Sequence, residues 1–171
     1  MMDLKKLYAV LILLIVIYVG INVGSMVINL EPQQVEDNAT ENMVTVGASS
    51  FPEIKNFKSE TINDTALSLT DSDKNVTITI SEIDNSRSIE DIFNDFVASS
   101  EASSTQTIDQ NGTTAYFAYY QGAETYGTNV FFNKNGQNYM ISGNNIDYNS
   151  SDYFINNCKN IIDTIEIHSI S

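Results

Sequence analysis

Alternation of apolar and polar residues predicts strands along most of this chain. The clearest case is residues 75–81, where Val76, Ile78 and Ile80 fall on one side and polar residues on the other. Successive side chains of a strand point to opposite faces, so the pattern is typical of an antiparallel strand with one buried face. Similar alternation predicts strands over residues 43–46, 65–70, 105–110, 113–121, 125–133 and 137–143, with a short last strand within residues 164–168.

Two Asn-Gly pairs predict tight turns between these strands. Asn111-Gly112 and Asn135-Gly136 each stand between two of the predicted strands. A two-residue hairpin turn needs positive φ at both central positions, which Asn and Gly adopt most readily. Two such hairpins in series predict an antiparallel meander.

Apolar residues spaced three and four apart predict two amphipathic helices. The first follows Ser88, a good N-cap, with Asp91 three residues later in an arrangement close to a capping box. The second covers about residues 152–163, with Ser150 or Ser151 as its cap. The apolar stripes are Ile89, Ile92, Phe93, Phe96 and Val97 in the first helix and Phe154, Cys158, Ile161, Ile162 and Ile165 in the second. The predicted fold class is α+β, an antiparallel β-sheet with two amphipathic helices packed on it.

Residues 7–28 are nearly all apolar and predict one N-terminal transmembrane helix preceding this fold. About 20 such residues cross the ~30 Å hydrocarbon core of a bilayer. Lys5 and Lys6 directly before the run predict a cytoplasmic N-terminus, because positive charge stays on the inner side. The alternative is a cleaved signal peptide, for which residues 23–25 offer small side chains near a cleavage site. Both interpretations place the rest of the chain outside the cytoplasm.

The chain therefore divides into four predicted regions. Residues 1–6 form a cytoplasmic N-terminus, residues 7–29 a transmembrane anchor, residues 30–42 a flexible acidic tether, and residues 43–171 an extracytoplasmic α+β domain. We expect a single-pass protein of the cell membrane, attached through its N-terminal helix.

Charge and composition exclude several classes of function. The formal net charge is −14, and such a surface repels phosphate backbones, so no nucleic-acid partner is expected. Cys158 is the one cysteine and His168 the one histidine, so the chain can form no intrachain disulfide and lacks the ligands of a zinc site. We expect neither a metal nor another cofactor.

A partial calcium-loop pattern is interpreted as a polar turn. Asp71, Asp73, Asn75 and Glu82 match its acidic and amide positions. The loop also requires Gly at its sixth position, where Val76 stands and opens the clearest predicted strand.

Catalytic motifs are not recognisable in the sequence. It has no Gly-x-Ser-x-Gly elbow, no P-loop and no dinucleotide fingerprint. Cys158 lies on an apolar stripe and is expected to be a small buried hydrophobe rather than a nucleophile. No catalytic residue is assigned, although convergent carboxylates could hydrolyse glycosidic bonds.

Tyrosine and asparagine offer binding and modification sites. Tyrosine suits binding surfaces because it has an apolar ring and a polar tip, and we expect about half of the set to be packed and the rest to line a groove. Five Asn-x-Ser/Thr sequons are present, of which those at Asn38, Asn63 and Asn149 are the candidate glycosylation sites; Asn75 and Asn111 fall at a strand start and a tight turn. The tyrosines are Tyr116, Tyr119, Tyr120, Tyr126, Tyr139, Tyr148 and Tyr153.

The order of these elements resembles the PsbP/Mog1/DcrB-like fold, and in particular short membrane-anchored archaeal proteins related to PsbP. The resemblance covers about residues 43–168 and implies the fold alone, because the matching positions are turns and core residues. These positions are Phe51-Pro52, residues 76–80, 89–97, 111–116 and 131–141, and the tail over residues 161–167.

The expected function is that of a non-enzymatic interaction module held outside the membrane. Its partner would be an envelope protein or polysaccharide, bound through the sheet face or the loops. Two alternatives remain open at this stage: an envelope-polymer hydrolase that uses paired carboxylates, and a purely structural, glycosylated envelope protein.

Overall fold

A seven-stranded antiparallel sheet is the centre of the structure, a computed structural model that describes residues 42–168. The predicted transmembrane helix, nearly all of the tether and Asn38 lie outside these residues. Within residues 42–168, no helix is both long and apolar enough to cross a membrane.

The described residues form ten strands, two α-helices and one short 3-10 helix. The strands are β1 Met43–Val46, β2 Ser49–Pro52, β3 Lys58–Asn63, β4 Ala66–Asp71, β5 Val76–Ile83, β6 Ser104–Gln110, β7 Thr113–Gln121, β8 Thr125–Lys134, β9 Gln137–Asp147 and β10 Glu166–Ile167. The helices are α1 Ile89–Ser99, the 3-10 helix Tyr148–Ser150 and α2 Ser151–Thr164.

Two meanders join side by side to make the large sheet. Its order is β3-β4-β5-β9-β8-β7-β6, and all of its pairs are antiparallel. The β5–β9 pair, with Ile80 opposite Ile141, connects the first meander to the second. A separate small sheet has the order β1-β2-β10.

The two helices cover opposite faces of the large sheet. Phe93 of α1 packs with Ala118 and Phe131 on one face. On the other face, α2 and the small sheet enclose the main core, to which β7 contributes Phe117 and β8 contributes Phe132. Neighbouring residues of one strand therefore belong to different cores, as the alternation of side chains requires.

Local signals in the sequence are confirmed at the predicted places. The Ser88 hydroxyl accepts the backbone N–H of Asp91 at 3.1 Å, which caps α1. The first Asn-Gly pair has φ of 50° and 83° and the second has φ of 54° and 87°, as hairpin turns of this kind need. The α+β class, its antiparallel pairing and its two helices are thus as predicted.

Several details differ from the prediction. The fold has a second small sheet instead of one sheet. Two strands were not predicted: β2, whose four residues are too few to show apolar alternation, and β3, all six of whose residues are exposed. β9 continues to Asp147 rather than ending at Gly143, since a register shift in the β8–β9 pair carries the pairing onward. The Ser150 side chain makes no capping bond to α2; the Asp147 carboxylate caps the preceding 3-10 helix instead.

A buried polar network connects the small sheet to the large one. The Glu82 carboxylate accepts the backbone N–H of Ala48 at 2.9 Å and the Ser49 hydroxyl at 2.8 Å. The Ser49 and Tyr139 oxygens are 2.6 Å apart, and because Ser49 donates to Glu82, the Tyr139 hydroxyl donates to Ser49. Both Ser49 and Tyr139 are fully buried, so each polar atom needs its partner inside the protein.

Replacement of Gly47 is expected to break this connection. Gly47 has φ of +57°, and a Cβ atom there would lie 1.9 Å from Glu82 Oε2. In Gly47→Ala the carboxylate must move away from Ala48 and Ser49, and left-handed strain of about 1–2 kcal/mol adds to the loss. Urea unfolding of the purified full-length chain measures the change in free energy. Gly112→Ala is the matched control, with φ of +83° but open space around its Cβ; equal losses in both variants would contradict the role of Glu82.

Candidate functional site

The tyrosines considered as a binding surface are distributed over both faces of the large sheet. Tyr116 packs against Phe93, with ring centroids 5.2 Å apart, and Tyr120 packs against Phe96 at 6.4 Å. These two rings are packed because α1 covers their face of the sheet. Tyr139 is fully buried.

Three of the tyrosines meet at one end of the α2 face. Tyr119 comes from the end of β7, Tyr126 from the start of β8 and Tyr148 from the 3-10 helix that precedes α2. They line a cavity of about 250 Å³, which we call the tyrosine pocket. Its other lining residues are Ser104, Gln121, Ser151, Asp152 and Ile155.

Hydrogen bonds hold all three rings in place. The hydroxyl of Tyr119 donates to Gln106 Oε1 at 3.0 Å. Tyr126 donates to the carbonyl of Ser151 at 3.1 Å, and Tyr148 donates to the carbonyl of Gly122 at 2.9 Å. The hydroxyl hydrogens are thus used within the protein, so the tyrosines offer a ligand ring surface and oxygen lone pairs.

Ring packing makes this wall rigid. The rings of Tyr126 and Tyr148 are stacked with centroids 5.9 Å apart and planes inclined by 28°. Tyr126 also meets Phe154 of α2 edge-on at 6.3 Å. Tyr126 is buried, whereas Tyr148 is 45% exposed and is one of the few large apolar side chains at the surface of the described domain. The wall therefore runs from the core to solvent.

The electrostatic character of the tyrosine pocket is negative. Among its lining residues in the described structure, Asp152 carries the only formal charge. Burial raises the pKa of Tyr119 and, more strongly, that of Tyr126, where the negative charge of Asp152 contributes further. Both phenols are therefore neutral at physiological pH, and their rings keep full π character.

The residues considered for metal binding are not brought together. Asp71 accepts the backbone N–H groups of Asp73 and Lys74 and the hydroxyl of Tyr153, whereas Glu82 is bonded to Ala48 and Ser49. Within residues 42–168, no group of three or more His, Cys, Asp or Glu side chains is arranged to hold a metal ion.

Cys158 and His168 occupy structural positions. Cys158 is fully buried on the inner side of α2, and burial raises the pKa of its thiol far above the usual range, so the reactive thiolate is disfavoured. His168 is exposed, and its backbone N–H donates to the carbonyl of Ala48 at 2.8 Å, which ties the chain to the small sheet.

The described candidate glycosylation sites are both exposed. Asn63 ends β3, and its side-chain oxygen accepts the N–H of Thr65 at 2.9 Å. Asn149 directly follows Tyr148, so a glycan there would stand beside the tyrosine pocket. Asn111, in contrast, donates its side-chain amide to Asp163 at 3.0 Å within a hairpin turn.

Asp71 is a buried carboxyl group whose hydrogen bonds lower its pKa. The hydrogen bond from Tyr153, at 2.7 Å, is the main cause that lowers its pKa below the usual 3.8, and the backbone N–H groups of its turn act in the same direction. A general acid of the kind proposed for a hydrolase needs a raised pKa instead. Asp71 is therefore a structural carboxylate.

The stability that Asp71 provides should depend on pH. Since its pKa is lower in the folded than in the unfolded chain, the stabilisation is present above about pH 4 and is lost as the pH falls through the folded value. Asp71→Asn should be less stable than the native chain at about pH 6, and the difference should shrink at about pH 2.5. Urea unfolding across this range measures it, with exposed Asp73→Asn as the control; a difference that is constant with pH would refute the assignment.

Comparisons with known proteins give a likeness of fold. No family model matches the sequence, and no curated protein matches it. The chain is similar to the crystal structure of a protein from Bacteroides thetaiotaomicron VPI-5482, with a TM-score of 0.50 and 10% identity over 72% of this chain and 46% of that one. The described chain thus spans less than half of that protein, and at this identity the likeness concerns the fold alone.

A second similar structure is the solution structure of cyanobacterial PsbP (CyanoP) from Synechocystis sp. PCC 6803. It has a TM-score of 0.45 and 12% identity, over 71% of this chain and 87% of that one. Cyanobacterial PsbP is thus among the solved structures that this chain is similar to. Nothing further is taken from it, and a relation to membrane-anchored archaeal proteins stays a prediction.

Proposed function

We propose that this protein is a membrane-anchored, extracytoplasmic binding module without catalytic activity, and that the tyrosine pocket is its binding site. The partner is a component of the cell envelope. The observation that carries the proposal is a rigid, partly exposed aromatic wall beside polar side chains at one end of the domain.

The location rests on the N-terminal sequence. Residues 7–28 are apolar over a length that suits a bilayer, and Lys5 and Lys6 favour a cytoplasmic N-terminus. The domain then faces the outside, where the sequons at Asn38, Asn63 and Asn149 are available for glycosylation.

The binding role rests on the make-up of the tyrosine pocket. Binding sites combine apolar and aromatic walls with a small number of polar groups that fix orientation. Here the aromatic wall is held by hydrogen bonds from all three tyrosines, so little side-chain entropy is lost when a ligand binds. Gln121 and Asp152 are exposed at its rim and can orient the ligand.

The same residues favour a binding role without catalysis. The tyrosine pocket contains one carboxylate, Asp152, whereas glycoside hydrolysis ordinarily uses two. Its tyrosine hydroxyls are engaged with acceptors in the protein and are not poised against a base. A binding role needs nothing more than the surface that is present.

Fractionation of cells that produce the full-length chain tests the location. We expect the protein to stay in the membrane pellet after alkaline carbonate extraction. Protease added to intact cells or spheroplasts should remove the domain, because it lies outside. Release by carbonate with residues 1–30 still attached, or protection until lysis, would refute this part of the proposal.

Substitution of Tyr148 tests the binding site. In Tyr148→Ala the exposed end of the aromatic wall is lost, and recovery of envelope partners with the detergent-solubilised full-length chain should fall about fivefold or more, as for a residue worth at least 1 kcal/mol. Ile62→Ala is the matched control, since Ile62 is also a large exposed apolar side chain but lies on edge strand β3. Equal recovery with both variants would place the binding site elsewhere.

A further inference from the structure

We infer that the tyrosine pocket binds the cationic side chain of a protein partner, an arginine or lysine presented on an exposed segment. The inference rests on the proposed function and narrows it to one ligand chemistry. Three observations on the described residues carry it: the state of the tyrosine hydroxyls, the charge of the lining, and the geometry of the rings.

The hydroxyls make the tyrosine pocket rich in acceptors. Each of the three tyrosines donates its hydrogen to an acceptor within the protein. The tyrosines therefore offer a ligand their oxygen lone pairs and ring faces beside the Asp152 carboxylate, while the neutral side chains of Ser104, Gln121 and Ser151 can either donate or accept. A ligand that brings several N–H donors and a positive charge complements this set, whereas an anion finds no basic side chain among the lining residues.

The amino end of α2 opposes this preference without reversing it. Ser151 and Asp152 are the first residues of the helix, whose amino end carries the equivalent of about half a positive charge. The full negative charge of Asp152 exceeds that half charge, so the net local charge is negative. The Asp152 carboxylate is exposed and makes no ion pair or side-chain hydrogen bond among residues 42–168, so it is free to pair with a ligand.

The ring geometry favours a planar cation in particular. Tyr148 is held by stacking on the buried ring of Tyr126, with their planes inclined by 28°, and its own ring is 45% exposed, so the exposed part of Tyr148 is the flat surface open to a ligand. A guanidinium group stacks on such a surface and can present two N–H groups to one carboxylate at the same time. Arginine is accordingly the better fit, and lysine the weaker one.

The magnitude of each contribution is modest and measurable. A cation over an exposed tyrosine ring contributes about 0.5–1 kcal/mol, which is about a two- to fivefold change in affinity. An exposed ion pair with Asp152 contributes a similar amount and weakens as salt is added. Selective binding therefore needs both the contact with the ring and the ion pair with Asp152. Loss of either one should give a measurable fall in affinity.

The experiment is an NMR titration of the isotope-labelled full-length chain in detergent micelles. The probes are N-acetyl-arginine amide, N-acetyl-lysine amide and N-acetyl-citrulline amide, the last being an uncharged isostere of arginine. We expect arginine to bind about fivefold or more tightly than citrulline, with shifts at Tyr148 and Asp152, and lysine to lie between them.

Matched variants assign the charge contribution. Asp152→Asn should weaken arginine binding about two- to fivefold and leave citrulline binding unchanged. Asp91→Asn is the control, because Asp91 is also an acid in the first turn of a helix, α1, on the opposite face of the sheet. Tyr148→Leu keeps an apolar side chain but removes the ring, and should weaken arginine binding by a similar factor.

The results separate failure of this inference from failure of the proposed function. If citrulline amide binds at the tyrosine pocket as well as arginine amide does, the cation inference is wrong and the pocket remains a binding site. The same holds if Asp152→Asn and Asp91→Asn behave alike. If no probe shifts the pocket resonances and Tyr148→Ala leaves partner recovery intact, both proposals fail.

Discussion

The central strands of the large sheet carry large apolar side chains on both faces, and each face must be covered by another element. Phe131 and Phe132 are neighbours in β8, both are buried, and they belong to different cores. Burial of one such ring contributes about 1.5–3 kcal/mol. Exposing several of them on one face would consume most of the 5–15 kcal/mol by which a typical domain is stable. The large sheet is therefore stable only when the helices cover its two faces.

Hydrogen bonds fix the position of α2 on its face of the large sheet. Lys134 donates to the carbonyls of Ile162 and Asp163 at 2.6 and 2.5 Å, and so satisfies the carboxyl end of α2. The Asp163 carboxylate in turn accepts the side-chain amides of Gln110 and Asn111 from the β6–β7 hairpin. The carboxyl end of α2 is thereby tied to the sheet at several points. Its amino end is held by Phe154, by the hydrogen bond from Tyr126 to the carbonyl of Ser151, and by Tyr153, which donates to Asp71 at 2.7 Å.

The tyrosine pocket lies at the amino end of α2. Phe154 packs so closely on Gly143 that a Cβ atom there would be 2.2 Å from its ring. Beyond that contact, Tyr126 at the start of β8 stacks on Tyr148 and donates to the carbonyl of Ser151 in the first turn of α2, and Tyr119 of β7 lines the same pocket. Where α2 begins, the ring of Tyr148 is left partly exposed beside Asp152, the acidic residue in the first turn of this helix. The proposed binding role is a consequence of this incomplete coverage.

Local features were readable from the sequence because they depend on a few adjacent residues. The cap at Ser88, the Asn-Gly turns and the alternation in β5 each need only a turn geometry or a strand period, and all three are present. β3 could not be read, because an edge strand with exposed side chains needs no apolar pattern and is stabilised by its pairing with β4. The anchor over residues 7–29 rests on sequence throughout.

The pairing of distant elements was decided only by the tertiary structure. Composition showed a surplus of tyrosine, but the period of a strand cannot tell which face a helix will cover, and here both faces are covered. Tyr119, Tyr126 and Tyr148 come together through the β7–β8 pairing and the turn into α2, and Asp152 joins them because α2 begins there. The sequence by itself determined that these side chains are tyrosines and an aspartate. Their closeness in space depends on long-range strand pairing and helix packing, which no local pattern encodes.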